Sequence, residues 1–171
     1  MQNSEEAYRA AGYTEAEAKA LAFTELLLPH LRELKQTGVD AISLAQTFRQ
    51  AGDEQSAQLV MEFALDLGRH LPDPGAFNPL INELVGVAIE RRVLDTMNPA
   101  SAYGDTGQTV QERFDELVRY RDSVQSLAKQ VGPMLETLPE PDLIGYFDRT
   151  KLFGEQSAMK WLMNKYGLGT P

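Results

Sequence analysis

The chain is predicted to be all-α, an irregular bundle of antiparallel helical hairpins with a solenoid-like N-terminal half. Three observations predict it. Apolar residues recur at three- and four-residue spacing, and no alternating strand pattern interrupts them. The punctuation between apolar runs is helix-capping chemistry. The two Pro/Gly-rich stretches, Pro72–Gly75 and Asn98–Gly107, are short connections within one domain.

The elements follow in order. A short helical turn at 4–11 precedes Thr14-Glu15-Ala16-Glu17, a capping box in which the Thr hydroxyl accepts a backbone N–H and the Glu reaches back. It opens a helix over 14–36, kinked by Pro29. A second helix spans 39–51, and the Gly52-Asp53 turn leads into 54–69. Asn78-Pro79 places a cap before a proline at the first helical position, opening 79–96. Thr109-Val110-Gln111-Glu112 is a second capping box, opening 109–131, bent at Gly132-Pro133. Thr137-Leu138-Pro139-Glu140 is a further start, for a helix at 141–166 that Gly154 breaks.

Two helices carry finer information. Leu80, Ile81, Leu84, Val85, Val87, Ala88 and Ile89 leave only a narrow polar strip of Glu83, Gly86 and Glu90, so this helix is central. Arg91 and Arg92 stand ready to pair with the two carboxylates. The helix from 109 carries a seam of Val110, Phe114, Leu117, Arg121, Val124, Ala128, Val131, Leu135 and Leu138, the pattern of a shallow helix crossing. Arg121 interrupts it, either snorkelling to a carboxylate or making a charged contact across an interface.

Charge excludes some partners. Lys plus Arg is 16 against 25 Asp plus Glu, a net charge of −9, and residues 1–85 alone carry 6 basic and 13 acidic side chains. Such a chain repels phosphate backbones and anionic membranes, so no nucleic-acid partner is expected. No run approaches the ~18 apolar residues of a membrane helix, and none is expected to insert. The first residues lack a signal peptide's basic and apolar regions, and the expected location is the cytoplasm, with a soluble portion of a longer or anchored protein as the alternative. The absence of cysteine excludes disulfides, thiolate metal sites and thiol nucleophiles.

Residues 41–72 carry a repeat-like pattern. Leu44, Ala45 and Phe48 lie on one helix, Gly52-Asp53 makes the turn, Ala57, Ala64 and Leu65 lie on the next, and Pro72 follows. Small residues at 45 and 57 allow close helix approach. This pattern resembles a single tetratricopeptide repeat, with Ala41 where that family has its first-helix tryptophan. The resemblance implies a helical hairpin that binds proteins or peptides. In addition, Tyr8-Arg9-Ala10-Ala11-Gly12 aligns with Phe48-Arg49-Gln50-Ala51-Gly52 at an offset of 40 residues, and Phe23 with Phe63. Either two hairpins stack, with residues 1–11 ending a helix that begins upstream, or two amphipathic helices share a composition.

Chemical motifs have bland counterparts. Asp105-Thr106-Gly107 copies the aspartic protease triplet but sits between helices, and Gly104–Gly107 lacks the Lys of a phosphate-binding loop. Asp66 and His70 share a helical face without the second Glu-x-x-His that a di-metal bundle needs. The densest mixture of aromatic and charged residues is Tyr146, Asp148, Arg149, Lys151 and Glu155, beside Trp161. With Arg121 these form the candidate binding site, since Tyr, Trp and Arg supply rigid contact area. Two further readings are a docking helix, and a catalytic cluster with Asp148 or Glu155 as base.

The expectation is therefore one helical domain, tetratricopeptide-like over 1–75 and a bundle portion over 76–171. It is expected to bind a protein or peptide, in particular a basic one, without cofactor, metal or catalysis. The alternative is a small enzyme or ligand-binding bundle using carboxylates and the Tyr146–Glu155 segment.

Overall fold

The computed structural model describes residues 2–25, 28–71 and 79–168. These form eight α-helices: α1 (Gln2–Ala10), α2 (Glu15–Glu25), α3 (Leu28–Gln50), α4 (Glu54–His70), α5 (Leu80–Leu94), α6 (Val110–Leu135), α7 (Glu140–Phe153) and α8 (Glu155–Lys165). The chain is all-α: among the described residues the one departure is an isolated antiparallel bridge between Ala102 and Thr109.

Both capping boxes form. Thr14 N–H donates to Glu17 Oε2 at 2.8 Å while Glu17 N–H donates to Thr14 Oγ1 at 3.3 Å. Thr109 and Glu112 repeat the exchange at 2.7 and 3.2 Å. The N-cap hydrogen bonds hold the Glu112 carboxyl below its usual range. The expected start at Thr137 differs. Pro139 occupies the N-cap without a side-chain hydrogen bond, and the Thr137 hydroxyl instead donates to the Met134 carbonyl, closing the end of α6. The Pro72–Gly75 connection and the Asn78 cap lie outside the described residues.

The N-terminal helices divide differently from the expected 14–36 and 39–51. Pro29 falls in the first turn of α3, where a proline's missing N–H leaves no bond unmade, so it begins a helix rather than kinking one. Helix α3 then runs unbroken through Gly38. That glycine is buried, and a Cβ there would stand 3.0 Å from the Ile89 side chain of α5. It marks a close helix crossing, where the sequence suggests a break.

The helices distribute into two compact units. The central unit comprises His30–Asp73 and Ile81–Ser123; the terminal unit comprises Met1–Pro29, Pro74–Leu80 and Val124–Pro171. The central core is small-to-large: Ala41, Ile42 and Ala45 of α3, Met61, Ala64 and Leu65 of α4, Val87, Val93 and Leu94 of α5, and Val110 and Leu117 of α6. In the terminal unit α2 packs on α1 and α7, and α7 on α8. Its buried residues include Ala18 and Ala22, Val124 and Val131, Tyr146, Ala158 and Leu162. The α6 seam is thus buried at Val110 and Leu117 in one unit and at Val124 and Val131 in the other.

Helices α1 and α3 end in the same way. Gly12 and Gly52 have φ of +96° and +80°. The following N–H reaches back five residues, Tyr13 to Tyr8 at 3.2 Å and Asp53 to Phe48 at 2.9 Å. The sequence echo between 8–12 and 48–52 thus marks a shared helix-ending turn. Asp53 then caps α4, accepting from Ser56 N–H at 3.0 Å.

The Gly52 geometry generates a test. Its surroundings are open, so any penalty for a side chain is backbone strain alone. Gly52→Val should lower stability by about 1–3 kcal/mol in chemical denaturation, whereas Gly52→Asn should cost distinctly less because Asn tolerates the left-handed region. Equal losses would show that something other than φ is sensed.

Candidate functional site

The C-terminal aromatic and charged segment is engaged within the terminal unit. Tyr146 is only 2% exposed, which corrects the expectation that it helps form an outward surface. Its hydroxyl donates to Glu155 Oε1 at 3.0 Å, so the buried ring keeps a partner for its polar tip. Desolvation, reinforced by the Glu155 charge, pushes the Tyr146 hydroxyl well above its ordinary range. Glu155 Oε2 accepts the Leu80 N–H at 2.9 Å, meeting a donor that the first turn of α5 leaves open. Asp148 pairs with buried Lys19 of α2. Burial lowers the Lys19 pKa, but the Asp148 partner outweighs this and holds the ammonium above its usual value. Lys151 pairs with Glu5 of α1. Arg149 is exposed and lies 4.7 Å over the Trp161 ring. Arg121, in the central unit, binds the neighbouring Asp122 at 2.7 Å along its own helix.

A larger polar network lies in the central unit. Glu90 is 3% exposed. Arg113 of α6 grips it bidentately, Nε to Oε1 at 2.9 Å and Nη2 to Oε2 at 3.1 Å. Tyr103 donates its hydroxyl to the same carboxylate, and Arg69 Nε donates to that hydroxyl at 2.8 Å. Arg113 also reaches Glu116 at 3.0 Å. The Glu90 hydrogen bond raises Arg113 above its already high pKa, so the guanidinium keeps its charge. Glu83 accepts from Tyr120, whose hydroxyl is raised by desolvation and by that carboxylate. Glu90 is met by Arg113 rather than by the expected Arg91 or Arg92, because its part of the α5 polar strip faces α6. Arg91 instead lies 5.0 Å over Phe114. A cleft of about 250 Å³ lies beside this network, lined by Gly68, Glu83, Val87, Glu116, Leu117 and Tyr120.

Sequence reasoning placed Glu83 and Glu90 on one strip but missed Arg113, Tyr120 and Tyr103. The first two were findable: Arg113, Glu116 and Tyr120 form a matching polar strip at three- and four-residue steps on α6. Tyr103 lies in the α5–α6 connection, where periodicity says nothing. That connection also holds Asp105-Thr106-Gly107. Gly104 and Gly107 take positive φ, Thr106 Oγ1 donates to the Tyr103 carbonyl at 2.7 Å, and Tyr103 N–H donates to Gln108 O at 2.8 Å. The triplet is a loop that turns Tyr103 inward. The His70 ring nitrogen sits 2.8 Å from the Asp66 carbonyl, and among the described residues no group of three or more metal-ligand side chains converges.

Helix α4 presents three adjacent rows at four-residue steps. Ala57, Met61 and Leu65 face the core. Glu54, Gln58, Glu62 and Asp66 form the next row, all exposed. Beyond it stand Leu59 and Phe63, 61% and 54% exposed. Leu44 of α3 is 48% exposed. A second cleft, about 540 Å³, opens beside the acidic row, with Met61, Leu65 and Met97 among its lining and Arg69 and Tyr103 at one end.

Both networks are expected to be architectural. Arg113→Met leaves Glu90 buried without its counter-charge and should lower stability by about 3–5 kcal/mol, with much of the loss recovered by adding Glu90→Leu. Tyr146→Ala should cost about 3–5 kcal/mol, while Arg149→Ala should stay within about 1 kcal/mol. Denaturation curves that rank Arg149→Ala above Tyr146→Ala would contradict the docking geometry. No family model, no curated protein and no solved structure matches this chain.

Proposed function

We propose that the chain is a non-enzymatic helical interaction module that recognises a protein or peptide through the outer face of its α3–α4 hairpin. One observation carries the reading: Leu59 and Phe63 stand in the open one helical row from a row of carboxylates. Large apolar side chains on an exposed helix face are contact surface in search of a cover. Carboxylates beside them favour a basic partner, in keeping with the acidity of residues 1–85. The tetratricopeptide-like pattern over 41–72 supports the same use. Among the described residues no helix is long and apolar enough to cross a membrane, which suits a partner met in the cytoplasm.

The first candidate surface, Tyr146 to Glu155 with Arg121, has less in its favour. Tyr146, Asp148, Lys151 and Glu155 already make the contacts that hold α1, α2, α5 and α7. The alternative, a small enzyme or ligand-binding bundle using carboxylates and the Tyr146–Glu155 segment, has less support, since Glu155 and Asp148 are engaged by Tyr146, Leu80 and Lys19, and the oxygens of Glu90 by Arg113 and Tyr103.

Leu59→Ser with Phe63→Ser tests the proposal without adding charge. The double variant should keep its melting temperature within a few degrees, since both side chains are exposed. Immobilised beside the parent, it should lose specific proteins that the parent retains from native extract, whereas Arg149→Ala should retain them. An identical set on all three would overturn the reading.

A further inference from the structure

We infer that the cleft beside the acidic row of α4 receives a lysine or arginine side chain from the partner, an inference that rests on the interaction reading above. The cleft combines two chemistries that rarely suit one ligand. Its inner wall is apolar, formed by Met61, Leu65 and Met97. Its rim carries Glu54 and Glu62 with one cation, Arg49, so the carboxylates there outnumber the cation. A lysine or arginine has the same two parts, an aliphatic stem and a cationic head. Methionines suit such a stem, because the unbranched thioether adapts to irregular shapes.

The charges also give a direction. At one end Arg69 donates to Tyr103 and lies 3.8 Å from Asp66, so the carboxylate of that end already has a cation beside it. At the other, Glu62 accepts only from the neutral Gln58 amide at 3.1 Å and has no cation partner among the described residues. Glu54 is held by Arg49 at 3.2 Å, an exposed pair of the kind that exchanges readily. The incoming head therefore settles at the Glu54–Glu62 end, with its stem over the methionines. A second copy of the chain is a poor occupant, since it brings the same carboxylates.

The test uses the full chain with ¹³C-methyl methionine and two short amphipathic peptides. One contains leucine and arginine; in the other, citrulline replaces each arginine and removes the charge while keeping the shape. Of the six methionine methyls, those of Met61 and Met97 should shift with the arginine peptide. The citrulline peptide should bind about tenfold more weakly by calorimetry, as should the arginine peptide to Glu62→Lys. Glu33→Lys makes the same charge change on exposed α3 and should leave binding within a factor of about two. Equal weakening by Glu33→Lys, equal binding of the two peptides, or unmoved Met61 and Met97 methyls would each overturn the inference. If binding is lost in Leu59→Ser/Phe63→Ser while the methyls never moved, the interaction face stands and only the basic pocket fails. If neither peptide binds, both fall.

Discussion

Glu90 is a carboxylate with almost no access to water, and the central unit is organised around meeting its charge. Desolvating such a group costs several kcal/mol, so both its oxygens must be engaged. Arg113 supplies a two-pronged grip and Tyr103 a hydroxyl. Each demand propagates. Arg113 must face Glu90, which sets how far α6 is slid along α5. Tyr103 must turn inward, which the positive-φ glycines of the α5–α6 connection allow. Helix α4 must come close, and Gly68 permits it: a Cβ there would stand 3.0 Å from the Gly86 carbonyl and 3.1 Å from the Glu90 N–H. A shape-matched apolar set could hold these helices as tightly; the ionic pair instead penalises any register that leaves it unmet.

The terminal unit follows the same logic with different residues. Tyr146 carries its hydroxyl into the interior, and Glu155 answers it while also holding the first N–H of α5. Asp148 and Lys151 bind Lys19 of α2 and Glu5 of α1, so α7 ties the N-terminal helices into this unit. A mixture of Tyr, Arg, Lys and acid reads as a binding surface when it faces water. Here, Arg149 apart, it faces other helices, and the same chemistry holds the unit together.

The proposed recognition surface is one that these networks do not use. On α4 the core row, the acidic row and the Leu59–Phe63 row succeed one another around the helix. The acidic row thus has apolar surface on both sides. This arrangement suits a basic amphipathic segment, whose charges are interleaved with apolar groups at the same helical spacing.

The amino-acid sequence by itself determined the helical class, the two capping boxes, the Gly52-Asp53 turn, the break at Gly154 and the seam of α6. These depend on contacts within a few residues, or on one helix's own periodicity, which a linear chain displays directly. Periodicity also exposed the strip of Glu83, Gly86 and Glu90 as polar within an apolar helix. Only the tertiary structure decided which partner met that strip, because Arg113 and Arg92 are equivalent until α6 is set against α5. Only it showed that Gly38 marks a helix crossing, that Pro29 opens a helix, and that Tyr146 is inside while Leu59 and Phe63 are outside. In each case the residue's chemistry admits both outcomes, and the neighbour that chooses between them is far away along the chain.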